Sequence, residues 1–311
     1  MGVTDTEALG RLARALGPLG RGLVPLAWAN LVANTGIVVT GGAVRLTGSG
    51  LGCPTWPRCT DESYVPHGEL GINGAIEFGN RMLTFVLVVI AVTCWAAALA
   101  RLLATPAGHP RDRRPVTLAT IIALGIPLQA VIGGITVVTD LNPWVVALHF
   151  LASMAMIGAC VLLLDLLTGP ERGTAGDRAR ALTWGVFAVG WVVLYLGTVV
   201  TGSGPHSGDL EARRNGLDPQ VMSHVHAWAV YLLVALTLVV LVLAVRSGEA
   251  VLRRAAGALL LLEVAQGGIG FTQYFLDLPE LLVGLHMLGA ALTSAGITWL
   301  VLAARSRHAL A

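Results

Sequence analysis

"LQAVIGGITVVTDLNPWVVALHFLAS" (residues 128–153) and "AQGGIGFTQYFLDLPELLVGLHMLGA" (265–290) read as one stretch written twice. With an offset of 137 and no gap, Gln129 falls on Gln266, Asp140 on Asp277, Leu141 on Leu278 and His149 on His286. A second pair, "GIVVTGG" (36–42) and "GTVVTGS" (197–203), matches at an offset of 161. Internal repeats of this kind describe an architecture before any motif does.

Both copies are strongly apolar, and so is most of the chain. Its 311 residues are 55% hydrophobic and 12% charged, with a mean hydropathy of +0.74. A soluble domain carries about 25% charged residues, so the composition points to a polytopic membrane protein. Eight runs are long enough to cross roughly 30 Å of hydrocarbon, which takes about 20 residues. They lie near 23–44, 76–100, 116–138, 144–168, 181–202, 221–245, 251–275 and 281–303. The predicted fold class is therefore all-α, with eight transmembrane helices. The matches pair the first four spans with the last four, giving an N-terminal half over 1–170 and a C-terminal half over 171–311. Four spans return the chain to its starting side. The halves are thus expected to be parallel-repeat four-helix bundles, related by a pseudo-two-fold along the membrane normal. The offset shrinks from 161 to 137 mostly in the first outer loop, which is longer in the N-terminal half.

All 20 basic residues are Arg. Fifteen fall on one side: Arg11, Arg14, Arg21, Arg101, Arg111, Arg113, Arg114, Arg172, Arg178, Arg180, Arg246, Arg253, Arg254, Arg305 and Arg307. Arg45, Arg58, Arg81, Arg213 and Arg214 fall on the other. The positive-inside rule then puts both termini in the cytoplasm and turns loops 45–75 and 203–220 outward. The apolar run after Arg21 is too long for a cleavable signal. Cys53 and Cys59, in "CPTWPRC", lie on the outer, oxidising side, where a disulfide can persist. Cys94 and Cys160 lie inside spans and read as small apolar side chains. The net charge of +2 carries no nucleic-acid signature.

His149, His226 and His286 each stand roughly 5–7 residues from the outer end of a span, a depth of about 10 Å. A histidine inside a membrane is a functional marker by default, because polar groups are expensive there. In a soluble core, a packing histidine bonded to a carbonyl would be the plainer reading. Two neutral imidazoles on facing helices can hold a haem from both faces. A structural zinc site wants four clustered ligands, which these spans do not supply. His224 competes with His226, but residues two apart point about 200° from each other on a helix, and the repeat register favours His226. In that register Asn80 falls on His226 at an offset of 146, with "EFGNRML" opposite "SHVHAWA". His67 and His206 are loop residues, expected to be solvated. His109 and His308 fall on the cytoplasmic side.

Glu77 lies one turn before Asn80 on the same face. It is a candidate acid/base at the mouth of an apolar site; the plain alternative is a helix-end acid favoured by the dipole. Arg45 and Arg81 at the outer rim suit pairing with ligand carboxylates such as propionates, or snorkelling to headgroups. Gln129 and Gln266 suit interhelical hydrogen bonds. "GGAVRLTGSGLG" (41–52) follows a membrane span, not a strand, which argues against a dinucleotide site.

Taken together, these features resemble the haem A synthase family. The resemblance covers residues 23–303 and rests on "GIVVTGGAVRLTGSGLGCPTWPRC" with its cysteine pair, a Glu-x-x-(ligand)-Arg start to the second span, and histidines on even-numbered spans. It implies oxygen-dependent oxidation of a haem O ring methyl to a formyl group, giving haem A for cytochrome oxidase assembly. It implies that His226 and His286 hold a haem b cofactor, and that the N-terminal half holds substrate haem against His149, with Asn80 and Arg81 nearby. Glu77 would be the catalytic residue. Cys53 and Cys59 would form a disulfide that braces the loop or relays electrons. It also implies a bacterial plasma (inner) membrane, an electron donor not identified by sequence, and a complex with haem O synthase as a partner. The family commonly has His where this chain has Asn80, which leaves His149 as the ligand of that half, with the iron five-coordinate or completed by water or a loop residue such as His67. The rival readings are a non-catalytic di-haem cytochrome b, which calls for His at position 80, and a transporter with a histidine proton relay.

Overall fold

The computed structural model describes residues 17–106, 109–209 and 212–307. Arg11, Arg14 and His308 lie outside them. Eight helices are long and apolar enough to cross a membrane, which makes this a multi-pass membrane protein. They are α1 (Leu23–Leu46), α2 (Gly71–Leu103), α3 (Arg114–Val138), α4 (Pro143–Thr168), α5 (Asp177–Ser203), α6 (Pro219–Ser247), α7 (Ala250–Phe275) and α8 (Glu280–Ala303). The backbone satisfies its own hydrogen bonds this way, as hydrocarbon requires.

The starts of α4 and α6 are written locally. Asn142 and Asp218 are N-caps, accepting from Trp144 N at 3.0 Å and Val221 N at 2.9 Å, and proline follows each at the first helical position. Helix α2 begins five residues earlier than its hydrophobicity indicates, after a single 3₁₀ turn at Gly68–Leu70. Glu77 is therefore well inside the helix, beyond the first turn where a dipole effect acts.

Within the N-terminal half α1 packs on α2 and α4, and α3 on α2 and α4; within the C-terminal half α5 packs on α6 and α8, and α7 on α6 and α8. Each set forms a ring in which α2 lies diagonally across from α4, and α6 from α8. The halves meet through α4 on α8, α1 on α8 and α4 on α5. Ser294 Oγ of α8 donates to Met154 O of α4 at 2.8 Å within this seam.

The turns α3–α4 and α7–α8 share an uncommon backbone. Asp140 and Leu141 have φ of 51° and 56°; Asp277 and Leu278 have 56° and 60°. In each, the leucine N–H closes back on the carbonyl five residues earlier, Thr136 or Gln273, at 2.8 Å. Leucine in the left-handed region costs about 1–2 kcal/mol, and both turns place it there, at Leu141 and Leu278.

On the face carrying the C-terminal end of α8, Arg172 bridges Asp165 at 2.8 Å and donates to Leu302 O at 2.9 Å. Arg307 donates to Leu166 O and Gly169 O. The α4–α5 connection and the end of α8 are thus laced together by arginine. On the opposite face the glycine-rich run after α1 lies flat against its neighbours. A Cβ on Gly52 would overlap the Asn73 backbone, and one on Gly50 would meet the Gly208 carbonyl at 2.9 Å. Close backbone approach, not phosphate binding, accounts for these glycines.

Candidate functional site

The C-terminal ring brings two imidazoles together across its diagonal. The His226 and His286 ring centres are 6.5 Å apart, with planes at 75°. Two metal–nitrogen bonds of about 2 Å, plus roughly 1 Å from each nitrogen to its ring centre, span about 6 Å. The pair therefore has the spacing that two imidazole ligands of one iron would have. His224 faces away, its ring edge-on to Tyr274 at 6.2 Å on the exposed side.

Each histidine leans on a glycine of the preceding helix. A Cβ on Gly270 would lie 3.5 Å from His286 Cε1, one on Gly197 3.4 Å from His226 Cε1, and one on Gly133 3.1 Å from His149 Cε1. Nδ1 of His149 and of His286 is buried with no hydrogen-bond partner, whereas the His226 ring also meets the Val193 backbone. A buried ring nitrogen left unpaired costs about 1–3 kcal/mol. One such ring in each half, on α4 and on α8, is a buried polar group whose cost calls for a use. No cluster of three or more His, Cys, Asp or Glu suited to a metal ion occurs among the described residues.

In the N-terminal half, His149 is backed by Gln129, whose Nε2 donates to His149 O at 3.1 Å and to Ser153 Oγ at 2.6 Å. Asn80 accepts from Thr40 Oγ1 of α1 at 2.8 Å through Oδ1. That bond holds the amide toward α1.

The outer loop is tied to α2 through Glu77, which is 6% exposed. Cys53 N–H donates to Glu77 Oε2 at 2.6 Å. Arg81 donates to Glu77 Oε1 from Nε at 3.1 Å and from Nη2 at 2.5 Å. Its remaining donors reach Cys53 O at 3.0 Å, and Thr55 O and Arg58 O at 3.1 Å each. All five guanidinium N–H groups are spent on Glu77 and the loop. Cys53 and Cys59 form a disulfide with Cα atoms 4.4 Å apart. The bonded loop is thus clamped at both ends by one ion pair.

Other sequence candidates take quieter places. Arg45 donates to His206 O and, at 2.9 Å, to Thr201 O, joining α1 to the α5–α6 connection. His206 is half-buried and its Nε2 bonds Leu278 O at 2.9 Å. His67 is exposed just before the 3₁₀ turn. Cys160 is buried and receives Asn34 Nδ2 at 3.9 Å. Glu263, 3% exposed in α7, is a buried acid without a sequence signal; its Oε1 accepts from Thr237 Oγ1 of α6 at 2.9 Å. Its repeat position is Ile126, so the register gives no hint of it.

Residues 25–205, more than half of the chain, match the family described as COX15-CtaA, cytochrome oxidase assembly protein. The chain belongs to this family. The match covers α1–α5, with the disulfide loop, Glu77, Asn80, Arg81 and His149; His226 and His286 lie beyond it. Curated relatives in the family carry the name Heme A synthase. That of Bacillus pumilus is 30% identical over 178 residues, 53% of this chain and 54% of its own. That of Geobacillus thermodenitrificans is 27% identical over 192 residues, 58% and 56%. That of Staphylococcus haemolyticus is 28% identical over 189 residues, 56% and 58%. The chain spans about half the length of the curated relatives it matches. Family membership agrees with the resemblance carried by "TGSGLGCPTWPRC".

Proposed function

We propose that this protein is a haem A synthase, an oxidoreductase that converts a haem O ring methyl to a formyl group in oxygen-dependent steps. The observation that carries the reading is the difference between the halves. The C-terminal half has two imidazoles spaced for one iron. The N-terminal half has His149 and, at the position matching His226, an asparagine already engaged by Thr40. A haem gripped from both sides stays as a cofactor; one held by a single histidine can leave as product. This asymmetry also tells against the di-haem cytochrome reading, which needs a second imidazole at position 80.

In the C-terminal half, His226 and His286 would hold haem b, and Gly197 and Gly270 give their rings room. That haem, when bound, supplies one-electron iron chemistry. In the N-terminal half His149 orients substrate haem O. Glu77, one turn before Asn80 on α2, would border the same site. Its Oε1 accepts both Arg81 bonds and its Oε2 one bond from Cys53, so Oε2 keeps a lone pair to receive a proton lost at the reacting methyl. Arg81, with every donor occupied, holds Glu77 and the loop in place, and propionate pairing would require it to release them. The halves are parallel repeats about a pseudo-two-fold, a reading supported by the matched left-handed turns. The protein lies in a bacterial plasma membrane with both termini cytoplasmic, a reading supported by the arginine distribution. Haem O synthase is the natural supplier of its substrate.

The test is to give haem O, a reductant and oxygen to membranes holding the protein, then extract and chromatograph the haems. A formyl-bearing haem is expected. Recovery of haem O and haem B with no formyl-bearing haem would leave only an electron-transfer role.

A further inference from the structure

The disulfide loop does more than sit on α2. Between its cysteines, Trp56 reaches across to α3, where its indole lies against Gly134; any Cβ there would overlap the ring. Gly134 is buried. The next residue back, Gly133, is the one that cradles the His149 ring. Trp56 and His149 therefore occupy neighbouring places on one turn of α3. The clamp of Glu77 and Arg81 fixes one side of the loop to α2, and Trp56 seats the other on α3. The loop thus bridges α2 and α3 on the outward side of the His149 site. Trp56 is still 37% exposed, so it is a rim residue and not part of the core. The C-terminal half has no counterpart: position 271, matching Gly134, is Phe, and the connection 204–218 contains no cysteine.

We propose that Trp56, seated in the Gly134 notch, is a substrate-contacting side chain that closes the outward side of the His149 site and sets how long haem stays there. The inference rests on the assignment of substrate haem to His149. An indole offers a broad apolar face to a tetrapyrrole edge at little conformational cost. Because it is carried on a loop and not a helix, it can lift from Gly134 while α2, α3 and α4 stay packed. Two helix-borne imidazoles need no such cover in the half that keeps its haem.

The experiment loads the purified protein with haem O and measures transfer of haem to an excess of apomyoglobin, resolving fast and slow fractions. For Trp56→Ala the fast, N-terminal fraction should leave about five- to tenfold sooner, the range expected for losing one aromatic contact. The C-terminal haem should be unchanged. Gly134→Leu, which fills the notch from the α3 side, should reproduce the effect, and Trp56→Phe should retain most of the wild-type residence. Thiol labelling checks that Cys53–Cys59 stays closed in each variant. Wild-type release rates in both Trp56→Ala and Gly134→Leu, with the disulfide closed, would overturn the role of Trp56 alone. A wild-type protein that takes up no second haem would overturn the His149 assignment, and this inference with it.

Discussion

Cys53 N–H donates to Glu77 Oε2 at 2.6 Å, so the buried carboxylate of α2 and the disulfide loop share one position. A catalytic Glu77 and a loop anchor are distinguishable by a substitution that keeps the shape and removes the charge. Glu77→Gln retains an acceptor for Cys53. It should lower haem A formation by about 100-fold or more, the usual scale for an acid/base residue, while the C-terminal haem spectrum persists. Haem A yield equal to wild type would remove Glu77 from the chemistry.

The disulfide closes a loop with a sequence separation of 6. Opening it by Cys53→Ser with Cys59→Ser should cost about 2 kcal/mol of loop constraint, seen as a lower thermal midpoint in detergent. As a brace, it should leave haem A formation slowed but present. Complete loss of conversion at a temperature where the variant is folded and holds both haems would indicate electron relay instead.

Asn80→His would supply the imidazole that the matching position, His226, already has. The N-terminal haem should turn six-coordinate and low-spin, visible in the ferrous spectrum. It should leave the protein more slowly, and turnover should fall. A spectrum unchanged from wild type would mean that position 80 does not face the iron.

Gly270→Val places a side chain against the His286 ring, where a Cβ already comes within 3.5 Å of Cε1. It should reduce the C-terminal haem content and spare the N-terminal site; Gly133→Val should do the reverse. Haem stoichiometry by pyridine haemochrome for the two variants measures this. Equal loss from both halves would show that these glycines serve packing generally.

Much of this was legible from residue type and spacing. The eight spans came from hydrophobic length, and the His226 choice came from the repeat register. The start of α2 was misplaced because "GINGA" carries little hydrophobic signal, although it is helical. The Gly cradles were hidden among 38 glycines, since only a neighbouring ring distinguishes Gly270 from any other. The clamp was illegible for a different reason. Nothing local ties Arg81 to the carbonyls of Cys53, Thr55 and Arg58, more than twenty residues away, and its charge at the rim suited a propionate equally well. Glu263 and Thr237 meet only because α6 packs on α7.

The central claim is a division of labour between the halves. It is tested most directly by extracting and chromatographing the haems bound to wild type, His149→Ala and His286→Ala, each purified after co-expression with a haem O source. The account predicts haem B together with haem O and haem A in wild type. It predicts haem B alone in His149→Ala, and haem O without haem B or haem A in His286→Ala. Loss of the same haems from both variants, in the same proportion, would contradict it.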